Sequence, residues 1–308
     1  MQKEHYGVYP TMITPYKKDG TVDLEGVEKI VKWYLDKKCE GIFATCQSSE
    51  IFYLSLEEKQ AILHAVVQTV KKYATYPVKV VASGATSDSL EEQIEEILTL
   101  NKEDPDAMVI LTNRLARQDE NDDVWIDNAK KLLDSLPKNI KLGLYECPYP
   151  YKRLISDKVL DYVVSTGRFA FIKDTCCDPV RLKARGDKLK DTPIALFNAN
   201  AQTLLYSLQN GASGYSGVMA NFHPEIYVWL CKNQTEQEAE YISDELSMYA
   251  TIEFFSYPVC AKYHFNLKGI PMELYARSVD SKLFKPYEKH IINELFRLEE
   301  KLRAKVYE

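Results

Sequence analysis

From the start of the chain to about residue 232, short apolar runs of strand length alternate with longer segments whose apolar positions recur at helical spacing. The strand-like runs are Val8 to Thr14, Gly41 to Thr45, Val78 to Ala82, Ala107 to Leu111, Lys141 to Tyr145, Phe169 to Lys173, Ile194 to Asn198 and Gly214 to Val218. Helix starts are marked between them. Ser55-Leu56-Glu57-Glu58 and Asp88-Ser89-Leu90-Glu91 read as capping boxes, in which an N-cap oxygen and a glutamate satisfy orphan backbone donors. Ser156 precedes the segment Asp157 to Val164, whose Val159, Leu160 and Val163 share one face, and Pro179 suits the first turn of another helix. Strands joined by helices run parallel, and a parallel sheet is covered on both faces. This accounts for the nearly unbroken apolar character of Val78 to Ala82 and Ala107 to Leu111. Eight such repeats with no break in composition predict an α/β chain closed into a (β/α)8 TIM barrel. No Gly-x-Gly-x-x-Gly follows any strand, so a dinucleotide-binding open sheet loses its main support.

Beyond the eighth strand the pattern is helical throughout, in Glu225 to Lys232, Glu236 to Phe255 and Tyr287 to Tyr307. The expected organisation is a barrel over residues 1–232 and a C-terminal helical extension over 233–308, packed on the barrel through Ile292, Leu295, Leu298 and Leu302. Charge and composition narrow the function. Lys and Arg total 39 against 45 Asp and Glu, a net charge of −6, which argues against a nucleic-acid partner. No stretch approaches the roughly 20 apolar residues of a membrane span, and the first residues lack the apolar core of a signal peptide, so a cytoplasmic location away from membranes is expected. The 7 cysteines include no Cys-x-x-Cys and read as free thiols of a reducing compartment. Neither they nor the 5 histidines fall at metal-ligand spacing, so no metal site is expected.

A barrel places its active site at the C-terminal ends of its strands, which directs attention to the polar residues ending each apolar run. Lys173 ends Phe169-Ala170-Phe171-Ile172, where burial lowers the pKa of an amine and makes it a nucleophile able to form a Schiff base with a ketone. The alternative is a lysine that reaches past the strand end to pair with Asp174 or another carboxylate. Tyr145 ends the neighbouring strand in the same place, and a phenol there can shuttle protons through the steps of imine formation. Cys46-Gln47-Ser48-Ser49-Glu50 supplies hydroxyls and backbone donors suited to a small carboxylate. The run Gly211 to Gly217, with Ser216, would let backbone approach a ligand, or would serve tight barrel packing.

Taken in order, Thr11-Met12-Ile13-Thr14-Pro15-Tyr16-Lys17-Lys18-Asp19-Gly20, Tyr145-Glu146-Cys147-Pro148, Phe171-Ile172-Lys173-Asp174 and Gly214-Tyr215-Ser216-Gly217-Val218-Met219-Ala220-Asn221 resemble the dihydrodipicolinate synthase and N-acetylneuraminate lyase family, over essentially the whole chain. The resemblance implies a class I aldolase that holds pyruvate, or a 2-keto acid cleaved to pyruvate, as an imine, with an aldehyde as the other partner and no metal or organic cofactor. It implies Lys173 as the imine lysine, Tyr145 as the catalytic tyrosine, Ser48 and Ser49 as part of the carboxylate-holding loop, and a homo-oligomer, a tetramer as in similar proteins.

The departures from the family pattern are specific. Where the family loop has a glycine and a relay hydroxyl, this chain has Cys46 and Gln47, and an amide does not relay a proton as a hydroxyl does. The arginine that the synthases place five residues after the tyrosine is Pro150 here, with Arg153 the nearest substitute. The usual tyrosine pair after the fourth strand is replaced within Thr112-Asn113-Arg114-Leu115. Pyruvate capture is therefore expected to be kept and recognition of the second substrate rebuilt. Asn113, Arg114, Arg117 and Arg153 are the polar groups available for a 2-keto-3-deoxy sugar acid. A 4-hydroxy-tetrahydrodipicolinate synthase and a non-catalytic keto-acid-binding barrel are the alternatives within the family. A barrel acting on a phosphate ester is the alternative outside it, weakly served by Asn198-Ala199-Asn200 and Ser216-Gly217.

Overall fold

The structure is a computed structural model that describes residues 3–307. Eight parallel strands, β1 (Gly7–Val8), β2 (Gly41–Thr45), β3 (Lys79–Ser83), β4 (Ala107–Leu111), β5 (Leu142–Tyr145), β6 (Phe169–Asp174), β7 (Ala195–Asn198) and β8 (Gly214–Tyr215), form one sheet in which β1 pairs with β8. The ring closes through a parallel bridge between Thr11 and Phe43 of β2, giving the expected (β/α)8 barrel. Seven helices cross between successive strands: α1 (Leu24–Asp36), α2 (Leu56–Tyr73), α3 (Leu90–Asn101), α4 (Asp122–Ser135), α5 (Asp157–Thr166), α6 (Pro179–Leu189) and α7 (Leu204–Gln209). The eighth, α8 (Pro224–Lys232), follows β8.

The strand ends differ from expectation at the two seams. Of the run Val8 to Thr14 only Val8 is in regular pairing, with Gly7 before it, because Pro10 has no N–H to give the ladder, and the chain rejoins the sheet at Thr11. The run Gly214 to Val218 pairs only at Gly214–Tyr215, since Val218–Asn221 turns into a 3₁₀ helix.

Helix starts follow local chemistry. Ser55 and Glu58 form a complete capping box, Ser156 accepts from Val159 N, and Asp178 caps the turn opened by Pro179. At α3 the cap is Ser89, accepting from Glu92 N, rather than a box begun by Asp88; the Asp88 carboxylate is turned to Arg114.

Two apolar clusters result from the alternation of side chains along the strands. One fills the space between sheet and helices; the other, including Phe43, Val81, Val109, Leu111, Phe171 and Phe197, fills the inside of the barrel beneath Tyr145. Gly143 makes room there, since a Cβ on it would lie 2.4 Å from the Phe171 ring.

After α8 come α9 (Ala239–Tyr249), a 3₁₀ turn over Ala250–Phe254, α10 (Val259–Leu267) and α11 (Pro286–Tyr307). The segment expected to be helical from Glu236 to Phe255 therefore stops being α-helix at Tyr249, and α10 was not anticipated. Ile292, Leu295 and Leu302 are buried as expected, whereas Leu298 is 43% exposed. Polar ties add to this packing. Glu299 of α11 meets His264 of α10 (2.8 Å) and His223 before α8 (3.1 Å), and Arg277 pairs with Glu58 of α2 (2.6 Å).

Candidate active site

A cavity of about 470 Å³ opens at the C-terminal ends of the strands. Lys173 and Tyr145 both line it. They face each other in register across β5 and β6, and the lysine Nζ lies 4.3 Å from the centroid of the Tyr145 ring and 5.1 Å from that of Phe43. Lys173 is 3% exposed, and burial lowers its amine from the ordinary 10.5 to about 8. No carboxylate is among the groups that act on it.

The expected rival, a pairing with Asp174, is absent because Asp174 has another partner. The side chains of Glu146 and Asp174, one residue beyond Tyr145 and Lys173 respectively, both engage the guanidinium of Arg185 on α6 (2.6 Å to Glu146). Glu146 also accepts from Ile155 N (2.7 Å) and Thr175 N (2.8 Å). This buried carboxylate–guanidinium–carboxylate group ties the ends of β5 and β6 to α6 and leaves Lys173 without a counter-charge. Burial of Tyr145 pushes its phenol well above the ordinary range, so it stays protonated and can donate.

The loop after β2 folds as a 3₁₀ turn over Gln47–Ser49. Gln47 and Ser48 line the cavity, and Ser48 Oγ is oriented by donating to Thr11 Oγ1 (3.1 Å). Ser49 is turned the other way. Its Oγ faces the Met12 carbonyl (2.6 Å) and receives the Cys46 N–H (3.0 Å), so it builds the loop and does not line the cavity. The Cys147 thiol lies 3.6 Å from Gln47 Oε1, and burial raises it to about 11.

Three further expected residues are not brought to the cavity wall. Asn113 Nδ2 is within hydrogen-bond distance of the carbonyls of Cys147 (2.9 Å), Tyr149 (2.9 Å) and Tyr151 (2.7 Å), which folds the segment after β5 into place. Arg153 donates to the carbonyls of Arg117 (3.0 Å) and Glu120 (2.9 Å) and to Asp122 (3.0 Å), a set of acceptors at the start of α4 that draws its charge away from the cavity. Ser216 is buried behind the wall, which is formed at that point by Gly217. Its Oγ has no hydrogen-bond partner among the described residues. Arg114 likewise meets Asp88. Asn198, of the weak phosphate-loop candidate, spends its amide on Thr203 and Ser207 (3.0 Å each).

The wall also contains groups that sequence reasoning missed: Lys152, Cys177, Glu253 and Tyr257. Glu253 and Tyr257 come from the helical extension, in a stretch whose only signal was Pro258, a break in what otherwise reads as helix. Tyr257 accepts from Asn221 Nδ2 (3.1 Å). Among the described residues no group of three or more His, Cys, Asp or Glu side chains is arranged to hold a metal, and no helix is long and apolar enough to cross a membrane.

The chain belongs to the dihydrodipicolinate synthetase family, whose model matches residues 4–279. Among curated relatives, the 4-hydroxy-tetrahydrodipicolinate synthase of Ehrlichia canis is 25% identical over 225 residues, 72% of either chain. Among solved structures, a catalytic-lysine mutant of the Ruminococcus gnavus sialic acid aldolase superposes with a TM-score of 0.86 at 15% identity, covering 99% of this chain and 100% of the other. The E. coli K12 prophage protein YagE, solved in complex with pyruvate, superposes with a TM-score of 0.85 at 18% identity, covering 96% and 99%.

Proposed function

We propose that this protein is a class I aldolase that makes or cleaves a 2-keto acid with pyruvate as one partner and an aldehyde as the other. The observation that carries this reading is the buried, uncompensated amine of Lys173 beside the Tyr145 phenol at a cavity of about 470 Å³. The neutral amine attacks the keto carbon, and loss of one water leaves an imine. Loss of a proton from the adjacent methyl gives an enamine, whose carbon attacks the aldehyde carbon while the aldehyde oxygen takes up a proton. Hydrolysis then releases the product and restores the amine. Tyr145 moves protons in these steps, and Ser48, oriented by Thr11, holds the carboxylate with the backbone of its turn.

The names of the curated relatives favour 4-hydroxy-tetrahydrodipicolinate synthase as a second reading. Against it stands Arg153, the nearest substitute for the synthases' arginine, whose guanidinium is held at the start of α4, so that Lys152 is the lining cation a carboxylate-bearing aldehyde would have to use. We read the protein as a cytoplasmic homotetramer on the family resemblance, a point for light scattering. The decisive experiment is incubation with pyruvate and borohydride followed by peptide mass analysis. One modified residue, Lys173, is expected, and none in Lys173→Ala. An unlabelled wild type, or a labelled Lys173→Ala, overturns the assignment. Turnover of the trapped enzyme's substrates separates the aldolase from a barrel that only binds keto acids.

A further inference from the structure

The cavity wall holds a carboxyl that the imine chemistry does not use. Glu253 sits in the 3₁₀ turn between α9 and α10, so the helical extension contributes it to a cavity otherwise walled largely by the barrel's loops. It has no hydrogen-bond or ion-pair partner among the described residues, and burial alone raises its carboxyl to about 7. The lining cation not engaged in imine formation is Lys152, whose Nζ donates one hydrogen bond to the Thr175 carbonyl (2.7 Å) and keeps two N–H groups free of it. A second polar layer lies behind the wall. The rings of Tyr215 and Tyr227 are buried and stacked on each other, the Oγ of Ser216 is buried without a hydrogen-bond partner among the described residues, and a Cβ on the lining residue Gly217 would lie only 2.3 Å from the Tyr215 hydroxyl.

An unpartnered, partly buried carboxyl is costly until a ligand that displaces the remaining water supplies donors to it. A ligand carboxylate would be repelled by it, and an aliphatic chain would leave it unsatisfied. Hydroxyl groups answer both lining groups at once, donating to a carboxyl oxygen and accepting from an ammonium. We infer that Glu253 is the specificity-determining residue for the second substrate, selecting an uncharged, polyhydroxylated aldehyde whose hydroxyls bridge Glu253 and Lys152. The inference rests on the aldolase reading and adds to it the chemical class of the aldehyde and the residue that selects it.

The test compares three aldehydes condensed with pyruvate: D-glyceraldehyde, propionaldehyde, which has the same carbon chain without hydroxyls, and succinic semialdehyde, which carries a carboxylate. Wild type is compared with Glu253→Gln and Glu253→Leu. Glu253→Leu is expected to lower kcat/KM for glyceraldehyde by about 10- to 100-fold, mainly through KM, and to change propionaldehyde by less than about 2-fold. Glu253→Gln, which keeps the shape and one acceptor, is expected to lose less, and both variants should use succinic semialdehyde at least as well as wild type. An unchanged glyceraldehyde-to-propionaldehyde ratio in Glu253→Leu, or a wild type that prefers succinic semialdehyde, overturns the inference. Borohydride trapping of pyruvate is run on all three proteins. Equal labelling shows that folding and imine formation are intact in the variants. Labelling lost in both variants would make Glu253 a support of the imine site and would also overturn its role in selection. An unlabelled wild type overturns the underlying aldolase reading instead.

Discussion

The burial that lowers the Lys173 amine, and on the proposed reading makes it the nucleophile, must also weaken the fold, and the size of that cost can be worked out. In the folded protein the amine is lowered by burial to about 8, against the ordinary 10.5 that the unfolded chain restores. Between these two values the unfolded state binds more protons than the folded state, so this residue's contribution to stability rises with pH, and below about 8 the full cost is present. At about 1.4 kcal/mol for each tenfold change in proton affinity, the cost at pH 7 is about 3 kcal/mol. Lys173→Met removes the charge while keeping a side chain of similar length that packs on the same Phe43 and Tyr145 rings. The variant should therefore be more stable than wild type by about 3 kcal/mol at pH 7, and the gain should shrink to about 1.5 kcal/mol at pH 9.5, where the folded wild-type amine has lost its proton and the unfolded chain still keeps it. Urea unfolding followed by circular dichroism, at one protein concentration for both proteins, measures this difference directly. A Met variant no more stable than wild type at pH 7, or a gain that does not change with pH, would refute the link between burial and reactivity.

The remaining predictions concern the groups around that amine. Tyr145→Phe should lower turnover by about 10²- to 10⁴-fold, while borohydride still traps pyruvate on Lys173, because the phenol serves proton transfer; equal losses in both assays would assign the tyrosine to pyruvate binding instead. Arg185→Met leaves the Glu146 and Asp174 carboxylates buried without their common partner. Unfolding should then become easier by about 3 to 5 kcal/mol, and a stability equal to wild type would show that the group contributes little. Arg153→Ala should leave the ratio of aspartate semialdehyde to glyceraldehyde use unchanged, because its guanidinium holds carbonyls at the start of α4. A selective loss with aspartate semialdehyde in steady-state kinetics would return that arginine to the substrate.

The alternation of apolar runs and capped amphipathic segments already determined the barrel, because strand length, helix caps and two-sided burial are local properties that every repeat displays. That Lys173 and Tyr145 lie side by side at the cavity was legible for the same reason. In a parallel barrel the end of a strand is where the site lies, and Lys173 and Tyr145 end adjacent runs, which the register of β5 on β6 bears out. What the sequence could not determine is where a polar side chain spends its hydrogen bonds. Ser48 and Ser49 are neighbours of like chemistry, yet the 3₁₀ turn sends one to the cavity and the other to backbone carbonyls. Arg153 is cationic in any fold, and only the approach of the α4 start to its loop decides that the charge is used there. Glu253 and Tyr257 are remote in sequence from every barrel strand, and packing of the helical extension against the barrel, a long-range outcome of apolar burial, makes them part of the cavity wall.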